Sequence, residues 1–353
     1  MNITKWFGRR VLKTGLAVFV TATICQLLDL PVIFAIITAI VTTEPTAADS
    51  IKKGVIRLPA AAIGALFAIV FDMLLGHSAL TYAIVSMLTI IACAKLKLDT
   101  GTLVATLTAV AMIPGTSDSF TFDFMMRLSG TTIGIIVSTL VNFVVLPPQF
   151  GPLVVKKVDY LYDEVANTCN SIVHQLTDTK NQIHHSIYRS LTQELEKAIQ
   201  LTQFQEDEWK YRKFNDHEKR SFEFLQQKLT LLQQIIFHLG SLSYVNIQSH
   251  ELAYDEITLL SSAGADLSTM LKDPYHQLTK EHTLIIDQLQ NQLSDQTHFV
   301  DEQPNTIANV YYELLLIYQL TMEVASITEK ERLFSESNAT YPKYIFAERV
   351  QYD

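Results

Sequence analysis

The chain has 353 residues, 48% of them hydrophobic and 18% charged, and a net charge of −9. Those averages join two unlike halves: residues 1–150 hold 10 Lys and Arg against 7 Asp and Glu, whereas residues 151–353 hold 17 against 29 and nine of the ten His. So acidic a second half excludes a nucleic-acid surface, which needs clustered positive charge to neutralise phosphates, and three Cys without paired spacing exclude a disulfide framework and a zinc motif.

Lys5, Arg9, Arg10 and Lys13 precede the first apolar run, as in a secretory leader. Further runs follow, however, and Ala22-Thr23-Ile24-Cys25 is a poor cleavage site, so a retained first span is expected. Six apolar runs occupy roughly 14–28, 31–43, 58–76, 79–94, 101–114 and 124–146. A bilayer core of ~30 Å takes ~20 helical residues to cross. The third and sixth runs meet that length; the second and fifth are short and must borrow polar flanks, thin the bilayer or shelter among other helices.

Positive residues collect before span 1, between spans 2 and 3 (Lys52, Lys53, Arg57), between spans 4 and 5 (Lys95, Lys97) and after span 6 (Lys156, Lys157). The alternate connections carry Asp29, then Asp72 with His77, then Asp118 and Asp123. Cytoplasmic loops are the ones enriched in Lys and Arg. Six spans with both ends in the cytoplasm satisfy that rule; five would break it.

Sliding the sequence by 70 residues shows an internal repeat. Leu28-Asp29 meets Leu98-Asp99; Ala35, Thr38 and Ala39 meet Ala105, Thr108 and Ala109; Arg57-Leu58 with Ile63-Gly64 meets Arg127-Leu128 with Ile133-Gly134. Each copy holds three spans, an odd number, so the second copy enters from the opposite side. Inverted repeats of this kind place a central site at the repeat interface in many secondary transporters.

Arg57 and Arg127 each open a long span in this reading, ahead of Ala60/Gly64 and Gly130/Gly134, whose small-xxx-small spacing lets backbones approach closely. Two readings stand for the arginines. They face an internal passage and bind a carboxylate, or they snorkel at span ends and anchor the helices. Lys13 either adds positive field to the same mouth or serves only as an orientation signal. Glu44-Pro45-Thr46 ends the second span and Pro114-Gly115-Thr116 the fifth. Proline there frees backbone groups, and Glu44 is either a proton-coupling carboxylate or a solvated loop residue.

Pro147-Pro148 marks the boundary between a transmembrane domain, 1–150, and a cytoplasmic helical domain, 151–353. Beyond it lie segments of helical period at roughly 153–177, 182–213, 216–243, 251–272, 276–294 and 303–332, as in Phe222, Leu225, Leu229, Leu232 and Ile236. An antiparallel bundle is expected, giving an all-α fold. No Glu-x-x-His pair occurs; Asp273-x-x-His276 and Asp295-x-x-His298 come nearest, and these His and the His184-His185 doublet read as solvated. Without a phosphate loop, nucleotide fingerprint or nucleophile elbow, neither an enzyme nor any metal or cofactor is expected.

The order Leu28-Asp29-Leu30-Pro31, Glu44-Pro45-Thr46, Lys53-Gly54, Arg57-Leu58-Pro59, Ile63-Gly64-Ala65, then Lys95-Leu96-Lys97-Leu98, Met112-Ile113-Pro114-Gly115 and Asn142-Phe143 resembles the aromatic acid exporter family of Gram-positive bacteria. That family is a branch of the fusaric-acid-resistance-like membrane superfamily. The resemblance covers the membrane half closely and the remainder by length and helical character. It implies a six-span module and a cytosolic helical domain in the bacterial cell membrane. Plant aluminium-activated malate transporters are remotely similar, which implies an anion path containing the span-opening arginines and a pairing of two chains. Export of organic anions, aromatic carboxylates above all, is therefore the expected function, with the bilayer, a small anion and a second copy as partners. A passive anion channel and a non-transporting scaffold are the alternatives.

Overall fold

The structure is a computed structural model describing residues 8–113, 120–145, 150–177, 185–211, 216–245, 252–297 and 306–337. Among these residues every regular element is helical. The chain divides into two units near residue 148, and residues 206–211 group with the first. The Pro114-Gly115-Thr116 and Pro147-Pro148 breaks, His184 and His298 lie outside the described residues.

The first unit contains α1 (Arg9–Leu27), α2 (Val32–Thr42), α3 (Ala47–Leu75), α4 (Ala79–Lys95), a 3-10 turn at Asp99–Gly101, α5 (Thr102–Met112) and α6 (Phe120–Val144). By length and apolar composition α1, α3 and α6 can each cross a membrane, and α2 and α4 are shorter apolar helices. Proline sets the limits of α2, with Pro31 at its N-cap and Pro45 just past its end. At 11 residues α2 and α5 each reach only about 16 Å.

One boundary differs from the sequence expectation. α3 begins at Ala47, not near residue 58, because the Thr46 hydroxyl accepts the Asp49 N–H at 3.0 Å and Asp49 complements the helix dipole. Arg57 thus lies inside the helix instead of opening it, and is 6% exposed. Arg127 likewise lies inside α6 and is buried.

The six helices pack as two exchangeable triplets. α3 runs along α5 and α6 along α2; α1 rests on α2 and α6, as α4 rests on α5 and α3; α3 and α6 meet each other. Exchanging the triplets leaves this set unchanged. The glycines repeat the relation atom by atom. A methyl on Gly64 would overlap the Ala105 carbonyl oxygen, and one on Gly134 would overlap the Ala35 carbonyl oxygen. Ala60 touches Gly101, as Gly130 approaches Pro31. In every case the partners are 70 positions apart in exchange.

α1 and α4 correspond at 68 positions instead. Ala17, Thr21 and Cys25 are fully buried along α1, and Val85, Thr89 and Cys93 along α4. Each helix closes with a left-handed residue, Asp29 (φ 50°) and Lys97 (φ 56°). The same six-to-one bond follows, Leu30 N–H to Cys25 O and Leu98 N–H to Cys93 O. The two extra residues of the second copy fall in the 3-10 turn.

The second unit contains α7 (Gly151–Thr177), α8 (His185–Trp209, whose last turn belongs to the first unit), α9 (Asp216–Ser243), α10 (Tyr254–Lys272), α11 (Lys280–Thr297) and α12 (Thr306–Ser337). α7 packs on α9 and α10, α9 on α12, and α11 on α10 and α12. The core is aliphatic, with Leu232, Ile235, Leu239 and Leu267 almost wholly enclosed. His276, read as solvated, is buried instead, and so is His282. His276 packs on the Tyr162 ring with Nδ1 3.0 Å from the Met270 carbonyl, and His282 Nδ1 lies 2.7 Å from Asp266, which also accepts from Tyr318. Lys228 and Glu331 form a buried ion pair.

Candidate functional site

A cavity of about 160 Å³ lies between the two short helices. Apart from Val110, its walls are pairs 70 residues apart: Phe34 with Val104, Ile37 with Leu107, Thr38 with Thr108, and Val41 with Ala111. It therefore sits on the pseudo-twofold axis that exchanges the triplets. Both threonine hydroxyls donate to carbonyls one turn back, Thr38 to Phe34 and Thr108 to Val104, each at 2.8 Å. The lining is consequently almost wholly apolar. An apolar cavity of ~150 Å³ is large enough to take a benzene ring.

Arg57 and Arg127 strap the same two helices at opposite ends. At one end Arg57, from α3, donates through Nη2 to Glu44 Oε1 at 2.5 Å, just past α2, and through Nε to the Thr100 carbonyl at 3.3 Å, just before α5. At the other end Arg127, from α6, lies 4.4 Å over the Phe34 ring at the start of α2 and donates to the Ala111 carbonyl near the end of α5. Thr100 and Ala111 are 11 residues apart along one helical segment, so the two guanidinium groups act roughly 16 Å from one another. They flank the cavity and do not share a single spot.

Glu44 bridges two cations, since its Oε2 also takes Lys53 Nζ at 2.9 Å, and Lys53 reaches Asp49 at 3.4 Å. Burial alone pushes the Glu44 carboxyl up. The hydrogen bonds and charges of Lys53 and Arg57 outweigh burial and hold it below the usual carboxylate range. Among the described residues Arg57 Nη1 is buried and has no hydrogen-bond partner.

Lys13 belongs to a neighbouring network. Its Nζ donates to Asn142 Oδ1 at 2.7 Å, and Asn142 Nδ2 faces the Glu44 carbonyl at 3.0 Å, the Thr46 carbonyl at 2.9 Å and Ser50 Oγ at 2.7 Å. Lys13 thus reaches the Glu44 region through an amide, not directly. In the same unit Glu208 Oε1 accepts the Ala47 N–H at 2.6 Å, adding a carboxylate at the amino end of α3. In the sequence Asn142 appears only among the residues that carry the family resemblance, and Thr100 and Glu208 are not singled out. Only Asn142 carried a signal, as a lone amide within the apolar run 124–146.

The profile of the aromatic acid exporter family, member 1, matches residues 5–145. A UPF0421 protein of Halalkalibacterium halodurans is 45% identical over 346 residues, 98% of this chain and 96% of the relative. Another from Bacillus cereus is 39% identical over 351 residues, 96% of this chain and 99% of the relative. One from Staphylococcus haemolyticus is 35% identical over 326 residues, 90% and 97% of the respective chains. With the matching profile and full-length likeness, the chain belongs to the aromatic acid exporter family of membrane proteins.

Proposed function

We propose that this protein exports small organic anions, aromatic carboxylates above all, through the cavity between α2 and α5. The supporting observation is an apolar, ring-sized cavity on a pseudo-twofold axis with a buried arginine at each end. The cavity suits the apolar body of such a substrate, and a guanidinium suits its carboxylate. In this reading the six helices cross the bacterial cell membrane, both termini face the cytoplasm and two chains pair. Glu44 takes an ion-pair role in this reading, because its carboxylate contacts both Arg57 Nη2 and Lys53 Nζ.

Benzoate flux in proteoliposomes tests the proposal. Arg57→Gln and Arg127→Gln should each lower flux at least about tenfold, the loss of a charge-assisted bond to the substrate, with membrane insertion intact. Accumulation driven by an ion gradient identifies a transporter, and current that follows voltage a channel. Absence of both leaves a scaffold. Poor insertion of both variants would instead assign the arginines to anchoring.

A further inference from the structure

The guanidinium fork of Arg57 is only partly filled. Nε is used by the Thr100 carbonyl and Nη2 by Glu44, while Nη1, equally buried, has no partner among the described residues. A carboxylate engages arginine best through two parallel bonds. Glu44 offers one oxygen to Arg57 because Lys53 takes the other at 2.9 Å. Its contact with Arg57 is a single bond, one short of the parallel pair that an unshared carboxylate can make.

Glu44 is also placed to leave without strain. The Asn142 amide fixes its backbone carbonyl, so only the side chain has to swing. Lys53 stays beside it as counter-ion, so displacement from Arg57 does not strand a buried charge. Moreover the Glu44–Arg57 contact ties the end of α2 to α3, and Arg57 in turn holds the start of α5. Releasing it loosens the strap across one end of the cavity.

We propose that Glu44 is a tethered competitor: its carboxylate occupies Arg57 and closes this end of the cavity until a carboxylate ligand displaces it. The proposal rests on the anion-transport reading but is tested by binding. The dissociation constant of sodium benzoate is measured calorimetrically on the full chain in nanodiscs. Glu44→Gln should tighten it about tenfold, the worth of one charge-assisted hydrogen bond, and the added Arg57→Gln should abolish that gain. Glu44→Asp keeps the charge but shortens the reach by one methylene, so it too should tighten binding. A general field effect of the carboxylate would leave Glu44→Asp at the wild-type value. Unchanged or weaker binding by folded Glu44→Asp overturns the competitor, as does benzoate binding by none of the proteins. Tighter binding by both variants with no benzoate flux in liposomes upholds the competitor and overturns the transport reading alone.

Discussion

Asn142 gathers the buried polar groups of the first unit: one amide accepts from the Lys13 ammonium and faces three oxygens on α3 and the connection before it. Asn142 is 0% exposed and Lys13 5%, and Thr46 and Ser50 are buried with them. An apolar residue of similar volume would take a partner from each of them at once. Removing one side of a buried charged hydrogen bond costs about 3 kcal/mol, because the other side keeps its desolvation penalty. Asn142→Leu should therefore unfold at a markedly lower temperature in detergent, and a melting curve matching the wild type would refute this role. At this scale the sequence was readable where a rare residue recurs, as Arg57 does at Arg127. It was unreadable at Thr100, whose contribution is a backbone carbonyl that any residue could supply.

The glycines of the long helices show how closely α2 and α5 are packed. Gly64 and Gly134 each press a backbone against the carbonyl of a helix from the other triplet. In lipid such close approach replaces the hydrophobic effect as the source of helix association. Gly64→Ala and Gly134→Ala should each destabilise the unit by about 1–3 kcal/mol, the usual cost of overpacking. Gly15→Ala, with open space around its new methyl, should be neutral or slightly stabilising through helix propensity. Equal melting temperatures for all three variants would contradict the assignment. The 70-residue shift made α2, α3, α5 and α6 legible in advance, down to the matched Arg and Gly. The same shift hid the kinship of α1 and α4, since two residues inserted at the 3-10 turn put Cys25 opposite Cys93 and not opposite residue 95. The early start of α3 was overlooked because Ser50, Lys52 and Lys53 interrupt the apolar run. Thr46-Ala47-Ala48-Asp49 nevertheless has the residue types of a helix start.

The triplet exchange has a consequence for the molecule in its membrane. A unit of three crossing helices returns the chain on the side opposite its entry, so a repeated unit must be inserted upside down. α4 is the decisive element, because its 17 residues span about 26 Å, slightly less than a ~30 Å hydrocarbon core. If α4 crosses, the connections at its two ends face different compartments. The first carries the exposed His77, just past Asp72 in the last turn of α3; the second carries the exposed Lys97, just past the exposed Lys95 that closes α4. Lysine is retained on the cytoplasmic side, so the proposed topology predicts that the second connection faces the interior. With Cys25, Cys93 and Cys169 replaced by Ser, His77→Cys should react with an impermeant maleimide in intact cells. Lys95→Cys should react only after the membrane is opened. Labelling of both from one side would mean that α4 does not cross, so that the two triplets cannot be inverted in the bilayer. The cavity between α2 and α5 would then have no claim to connect its two faces.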